Sequence, residues 1–149
     1  MQSITREIQI DAAHRVPDHG SKCRFIHGHR YVVQATCVGP LHDSGEQTGM
    51  VIDFGFLKEE MMAVIDGPAD HGLLLYHKDP LAVVLLESPE LFQGAFGKVM
   101  FLPSVPTAEN LAKYWYDQLQ LRVNTRTDGH VRLLRVRVYE TPNCWADYC

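Results

Sequence analysis

Residues 4–14 read Ile-Thr-Arg-Glu-Ile-Gln-Ile-Asp-Ala-Ala-His, and residues 29–38 read His-Arg-Tyr-Val-Val-Gln-Ala-Thr-Cys-Val. In the first stretch Ile4, Ile8, Ile10 and Ala12 fall on one face, with Thr5, Glu7, Gln9 and Asp11 on the other. Arg6 interrupts the apolar series near its start. A period of two marks a half-buried strand. The second stretch is β-branched and aromatic enough for another strand. Gly39-Pro40 stops it, and the polar segment 42–49 reads as a turn.

Working outward, the period changes from two to 3.6. Asp53 is a predicted N-cap, followed at helical spacing by Phe54, Leu57, Met61, Val64 and Ile65, with Gly67-Pro68 as the stop. Residues 98–102 suggest a third strand. Thr107 caps a second helix carrying Leu111, Tyr114, Trp115 and Leu119, with Glu109 in its first turn, where negative charge suits the dipole. Residues 131–140 form a last strand with Leu134, Val136 and Val138 on one face. The order strand, strand, helix, strand, helix, strand predicts an α+β domain, with helices on one face of a mostly antiparallel sheet. No repeat or linker divides residues 1–149, so one domain is expected.

A chain of 149 residues, 46% hydrophobic and 21% charged, is long enough to bury a sizeable core. Its net charge of −4 gives no overall basic field for nucleic acid. Lys22, Arg24 and Arg30 form a local basic cluster, suited to an anionic small molecule or simply solvated. The N-terminus has no apolar signal-peptide core, and no apolar run approaches the ~20 residues that span a bilayer. The four cysteines, Cys23, Cys37, Cys144 and Cys149, make no Cys-x-x-Cys pair. A cytoplasmic location with reduced thiols is expected.

The histidines carry the chemistry. His14 continues the Ile8-Ile10-Ala12 face, because residues two apart point the same way. His27 and His29 share a face with Tyr31, Val33 and Ala35. If the two strands pair antiparallel, all three imidazoles meet at one end of the sheet. Three neutral imidazoles make a three-ligand zinc site with a fourth position open, the catalytic pattern. A His-x-His pair is also what two satisfied strand-end histidines look like, and periodicity alone does not choose.

Three further groups admit two readings each. Cys23, four residues before His27 and between Lys22 and Arg24, is placed to act as a thiolate base or nucleophile, or is an inert thiol. Asp70 adjoins His71 and can set its tautomer, but only if a turn brings the two side chains together. Glu140 ends an apolar stripe, either because the strand meets water there or because an ionised carboxylate accepts two parallel hydrogen bonds from a ligand.

Together these segments resemble a known family. Asp11-Ala-Ala-His14-Arg15, Lys22-Cys23-Arg-Phe-Ile-His27-Gly-His29, Gly49-Met-Val-Ile-Asp53-Phe54, Asp70-His71, Pro106-Thr107-Ala-Glu109-Asn110 and Tyr139-Glu140-Thr141 are similar, in order, to the 6-pyruvoyl-tetrahydropterin synthase superfamily. The Cys-x-x-x-His-Gly-His spacing is most like its bacterial 6-carboxy-5,6,7,8-tetrahydropterin synthase branch. The resemblance implies a tunnelling fold (T-fold): a four-stranded antiparallel sheet with two helices on one face, closed by three subunits into a barrel. It implies a homohexamer, a dimer of trimers, with active sites between subunits. It implies Zn2+ on His14, His27 and His29, proton handling by Cys23, Asp70 and His71, and pterin binding by Thr107 and Glu140.

The implied activity is that of a lyase. It converts 7,8-dihydroneopterin triphosphate to 6-carboxy-5,6,7,8-tetrahydropterin with release of triphosphate and acetaldehyde, in queuosine (7-deazaguanine) biosynthesis. Alternatives are the 6-pyruvoyl product, formed without side-chain cleavage, an aldolase-like reaction on dihydroneopterin, and a non-catalytic zinc or pterin binder. One departure from compact family members is the long segment 76–103, with apolar runs Leu81–Leu86 and Phe92–Phe96, expected to pack over the site or an interface.

Overall fold

The computed structural model describes residues 1–91, 95 and 97–149. Strands β1 (Gln2–His14) and β2 (His27–Gly39) form a long antiparallel pair, in register from Gln2 opposite Gly39 to His14 opposite His27. Helix α1 (Phe54–Met61) follows, capped by the Asp53 carboxylate, which accepts from the Gly55 N–H. Then come β3 (Gly72–Tyr76), α2 (Pro80–Glu87), β4 (Lys98–Leu102), α3 (Ala108–Arg126), β5 (Arg132–Thr141) and β6 (Cys144–Tyr148).

The helical path of α1 does not stop at Gly67-Pro68, as the sequence suggested. It runs on through a π turn, Met62–Asp66, and a last α turn, Gly67–Ala69. The changed hydrogen-bond register places Pro68 in the first turn of a new segment, where its missing N–H costs nothing.

The expected four-stranded antiparallel sheet is corrected to a six-stranded mixed one, ordered β4-β3-β1-β2-β5-β6. β3 is parallel to both β1 and β4. It escaped notice because Gly-Leu-Leu-Leu-Tyr has no alternation, and a strand buried on both faces needs none. Leu74 joins the main core, while Leu73 and Leu75 pack with Ala82 and Leu85 of α2. Successive side chains point to opposite faces, so α2 covers the face away from the other helices. Among the described residues the two expected helices become three of eight residues or more, not all on one side. The Leu81–Leu86 run is this helix; Phe92–Phe96 lies outside the described residues apart from Ala95.

The main core lies between the sheet and helices α1 and α3. Ile10, Tyr31, Val33 and Val136 meet Leu57, Met61, Trp115 and Leu119, each 0 or 1% exposed. A bulge opposite Thr36 and Cys37 pairs Cys37 with Leu133 and Thr36 with Arg135, leaving Leu134 as the extra residue. Leu133 is thereby buried and Leu134 is 37% exposed, which corrects the predicted Leu134-Val136-Val138 stripe. Val136 and Val138 keep their places, and so does Glu140 beyond them.

Candidate metal centre and flanking clefts

The β1–β2 register settles how the histidines meet. His14 is directly opposite His27, and His29 is opposite Ala12, one pleat along. One ligand nitrogen from each imidazole comes together within 4.8 Å of the other two, a group able to hold a metal ion. His14 is 1% exposed, while His27 and His29 are partly exposed.

The hydrogen bonds decide how the rings present themselves. His14 Nδ1 donates to the Pro106 carbonyl at 2.7 Å, and His27 Nδ1 donates to the Phe25 carbonyl at 2.8 Å. With Nδ1 so committed, each ring turns its Nε2 toward the centre, and those two nitrogens are 3.1 Å apart, close enough to share a proton or a metal ion. His29 Nε2 is buried with no hydrogen-bond partner. Burial pushes the His14 and His29 imidazoles below their ordinary values, which favours the neutral, ligating form. Carbonyl acceptors behind two ligands are the usual way a protein fixes metal-binding tautomers. The residues present fit a metal ion.

Glu140 sits beside this centre, not merely at a wet strand end. Its oxygens are 3.7 Å from His29 Nε2 and 4.0 Å from His14 Nε2, with its side chain 28% exposed. A register shift between Tyr139 and Thr141 against β6 brackets it, and a bulge there re-aims the side chain. A cleft of about 260 Å³ is lined by His14, Cys23, Thr107 and Glu140 together with His19, Glu109, Cys144 and Trp145. Cys23 lies in a short 3₁₀ turn, Lys22–Arg24, tied back through its carbonyl to the Val16 N–H at 2.9 Å. Thr107 Oγ1 accepts from the Asn110 N–H at 3.4 Å, so it caps α3 while lining the cleft. Sequence reasoning gave Cys144 and Trp145 no role, because it ended the last strand at residue 140 and did not foresee β6 folding back on β5.

Asp70 and His71 do cooperate. His71 Nδ1 donates to Asp70 Oδ2 at 2.7 Å, and the required turn exists: His71 has φ +54°. Asp70 Oδ1 also accepts from the Asp11 N–H at 2.9 Å. That backbone donor, and then the imidazole, hold the Asp70 carboxyl below the usual carboxylate range. The dyad lies elsewhere than Cys23, however. His71 lines a separate cleft of about 590 Å³ with Asp11, His29, Arg30 and Leu73, and its side chain is 78% exposed. Of the basic cluster, Arg30 is taken by Asp11 through two hydrogen bonds of 2.9 Å.

Comparison with known proteins identifies the family. Residues 3–149 match the family described as 6-pyruvoyl tetrahydropterin synthase. The chain belongs to that family. A relative from Rickettsia conorii, named 6-carboxy-5,6,7,8-tetrahydropterin synthase, is 34% identical over 148 residues, 99% of each chain. One of the same name from Haemophilus influenzae is 31% identical over 148 residues, again 99% of each. Among solved structures, a Wolinella succinogenes protein of uncharacterized function superposes with a TM-score of 0.80 at 23% identity, covering 99% and 97% of the two chains. The 6-pyruvoyl tetrahydropterin synthase of Caenorhabditis elegans gives 0.66 at 26% identity, covering 99% and 94%. Among the described residues, no helix of this family member is long and apolar enough to cross a membrane.

Proposed function

We propose that this chain is a zinc-dependent lyase of the cytoplasm. It converts 7,8-dihydroneopterin triphosphate to 6-carboxy-5,6,7,8-tetrahydropterin, releasing triphosphate and acetaldehyde, for 7-deazaguanine and queuosine synthesis. The observation that carries this reading is the convergence of Cys23, Thr107 and Glu140 on one cleft with His14 of the histidine cluster. The end-to-end likeness to relatives named for this product supports it.

His14, His27 and His29 would hold zinc, whose tetrahedral preference suits three imidazoles and one open position. Bound there, zinc supplies Lewis acidity toward the hydroxyl oxygens of the substrate side chain. Cys23, as thiolate, takes or returns a proton from the cleft side. His71 has its Nδ1 proton committed to Asp70, so its Nε2 lone pair is the group free to accept a proton. Glu140 accepts the paired N–H donors of the pterin ring, and Thr107 closes the ring pocket.

Cys23 and His71 line different clefts of one chain. Both clefts adjoin the histidine cluster, and the reading adopted is that a neighbouring subunit's copy of one cleft completes the site of the other, in a homohexamer of two trimers with sheets closed into barrels. Incubation with 7,8-dihydroneopterin triphosphate, with products identified by mass spectrometry, tests the reading. The 6-carboxy product with acetaldehyde is expected. A 6-pyruvoyl product, the second reading and the one favoured by the likeness to the Caenorhabditis elegans enzyme, replaces it if the side chain stays whole. No turnover refutes both.

A further inference from the structure

We propose that Lys98 is a positioning residue for the Asp70–His71 dyad: its ammonium group holds the peptide between those two residues in the orientation that aims the imidazole. This rests on the dyad role proposed above. Lys98 lies on the edge strand β4, exposed, where sequence reading would leave it as a solvated cation. Its Nζ is not free. It donates to the Asp70 carbonyl at 2.9 Å and the Gly67 carbonyl at 3.0 Å.

The argument turns on backbone geometry. Asp70 has φ −65° and ψ 132°, and His71 has φ +54°. The Asp70 pair followed by a positive φ matches a type II turn, whose third position ordinarily takes glycine. Histidine there carries strain, which a flip of the 70–71 peptide would relieve by giving a type I turn. Two hydrogen bonds oppose that flip, one at each end of the same peptide. Lys98 Nζ holds its C=O, and the Asp11 carbonyl accepts its N–H at 2.7 Å. The flip would break both, and it would swing the imidazole away from Asp70 Oδ2.

The neighbouring glycine belongs to the same device. A Cβ at Gly72 would stand 3.0 Å from the Ala69 carbonyl oxygen and 3.3 Å from Lys98 Cβ. Only the bare backbone lets β4 come close enough for Lys98 to reach over the turn. Gly72 and Lys98 are register partners, so the reach is set by the β3–β4 pairing itself.

The test is Lys98→Met beside Lys98→Arg, with Lys98→Gln as a second neutral variant should the methionine protein not fold. Long-range proton–nitrogen NMR of the histidine rings reads the His71 tautomer without needing turnover. The wild type should show the Nδ1-protonated form, Lys98→Met the mixture of a free imidazole, and Lys98→Arg the wild-type form. In the pterin assay, kcat should fall about 10- to 100-fold in Lys98→Met with KM unchanged, the size expected for misaiming a catalytic group, and Lys98→Arg should restore it. An unchanged His71 tautomer in Lys98→Met overturns the clamp. So does a loss confined to KM, which would make Lys98 a contact for the substrate's phosphates. A tautomer that responds as expected in a protein without pterin turnover refutes the proposed reaction and leaves the clamp standing.

Discussion

Zinc added to chelator-stripped protein should raise its melting temperature, and His29→Ala should remove most of the rise. The unpartnered Nε2 of His29 and the 3.1 Å approach of His14 Nε2 to His27 Nε2 mean that the metal-free site holds unpaired acceptors. A ligand that binds only the folded state at 100 times its Kd stabilises by about 2.7 kcal/mol. For a domain of this size each kcal/mol is worth about 2–4 °C, so the rise should be about 5–11 °C. Losing a residue behind a metal ligand alone costs about 10–100-fold in affinity, so losing a ligand should cost at least about 100-fold. At the same free zinc the variant then sits near its own Kd, and its gain falls to about 0.4 kcal/mol, or about 1 °C. The metal-free variant should melt within about 3 °C of the metal-free wild type, because the substitution removes an unsatisfied buried nitrogen along with its packing. The assay is a thermal melt at fixed protein and buffered free zinc, since oligomers make the midpoint concentration-dependent. Equal zinc shifts in the two proteins, or none in the wild type, would refute the argument.

Zinc should persist below the ordinary histidine titration near pH 6.5. Burial depresses His14 and His29, so both keep the ligating form as pH falls through that value and lose it only lower, through their depressed folded values; metal content measured from pH 7.5 to 5 checks this. Apo-protein stability should follow the same sign, complete above the unfolded pKa and declining below it, in a pH-resolved urea series. Cys23→Ala should keep its zinc and oligomeric state and lose about 100-fold or more in turnover; near-normal activity would assign the proton transfer to another group. Glu140→Gln should weaken pterin binding at unchanged zinc content, because an amide turns a donor toward a donor; unchanged affinity in a fluorescence titration would remove Glu140 from the ring pocket. Mixed Cys23→Ala and His71→Ala subunits should regain about a quarter of wild-type activity on random reassembly, whereas Cys23→Ala with Glu140→Ala should regain none, since those two line the same cleft. A monomeric, active enzyme in light scattering would refute the shared site.

Much of the candidate site was legible in the sequence itself. The parity of two strands suffices to put His14 on the face of Ile8 and Ile10, and His27 and His29 on that of Tyr31. Antiparallel pairing then brings the three imidazoles together, because the side-chain period of a strand is fixed at two. The caps at Asp53 and Thr107 were legible for a similar reason: they are chemistry between residues two or three apart.

Where partners are distant in sequence, the tertiary structure decided. β3 shows no pattern because both of its faces are covered, one by the main core and one by α2. The bulge that turns Leu134 out depends on its pairing with Thr36 and Cys37. Which nitrogen each histidine offers is set by the Pro106 and Phe25 carbonyls, the first of them 92 residues from His14. Cys23 and His71 line different clefts, which no local pattern foretells, and Lys98 reaches Asp70 only because β4 runs parallel beside β3. Local periodicity determines which way a side chain points; the closing of the sheet around distant segments determines what it meets there.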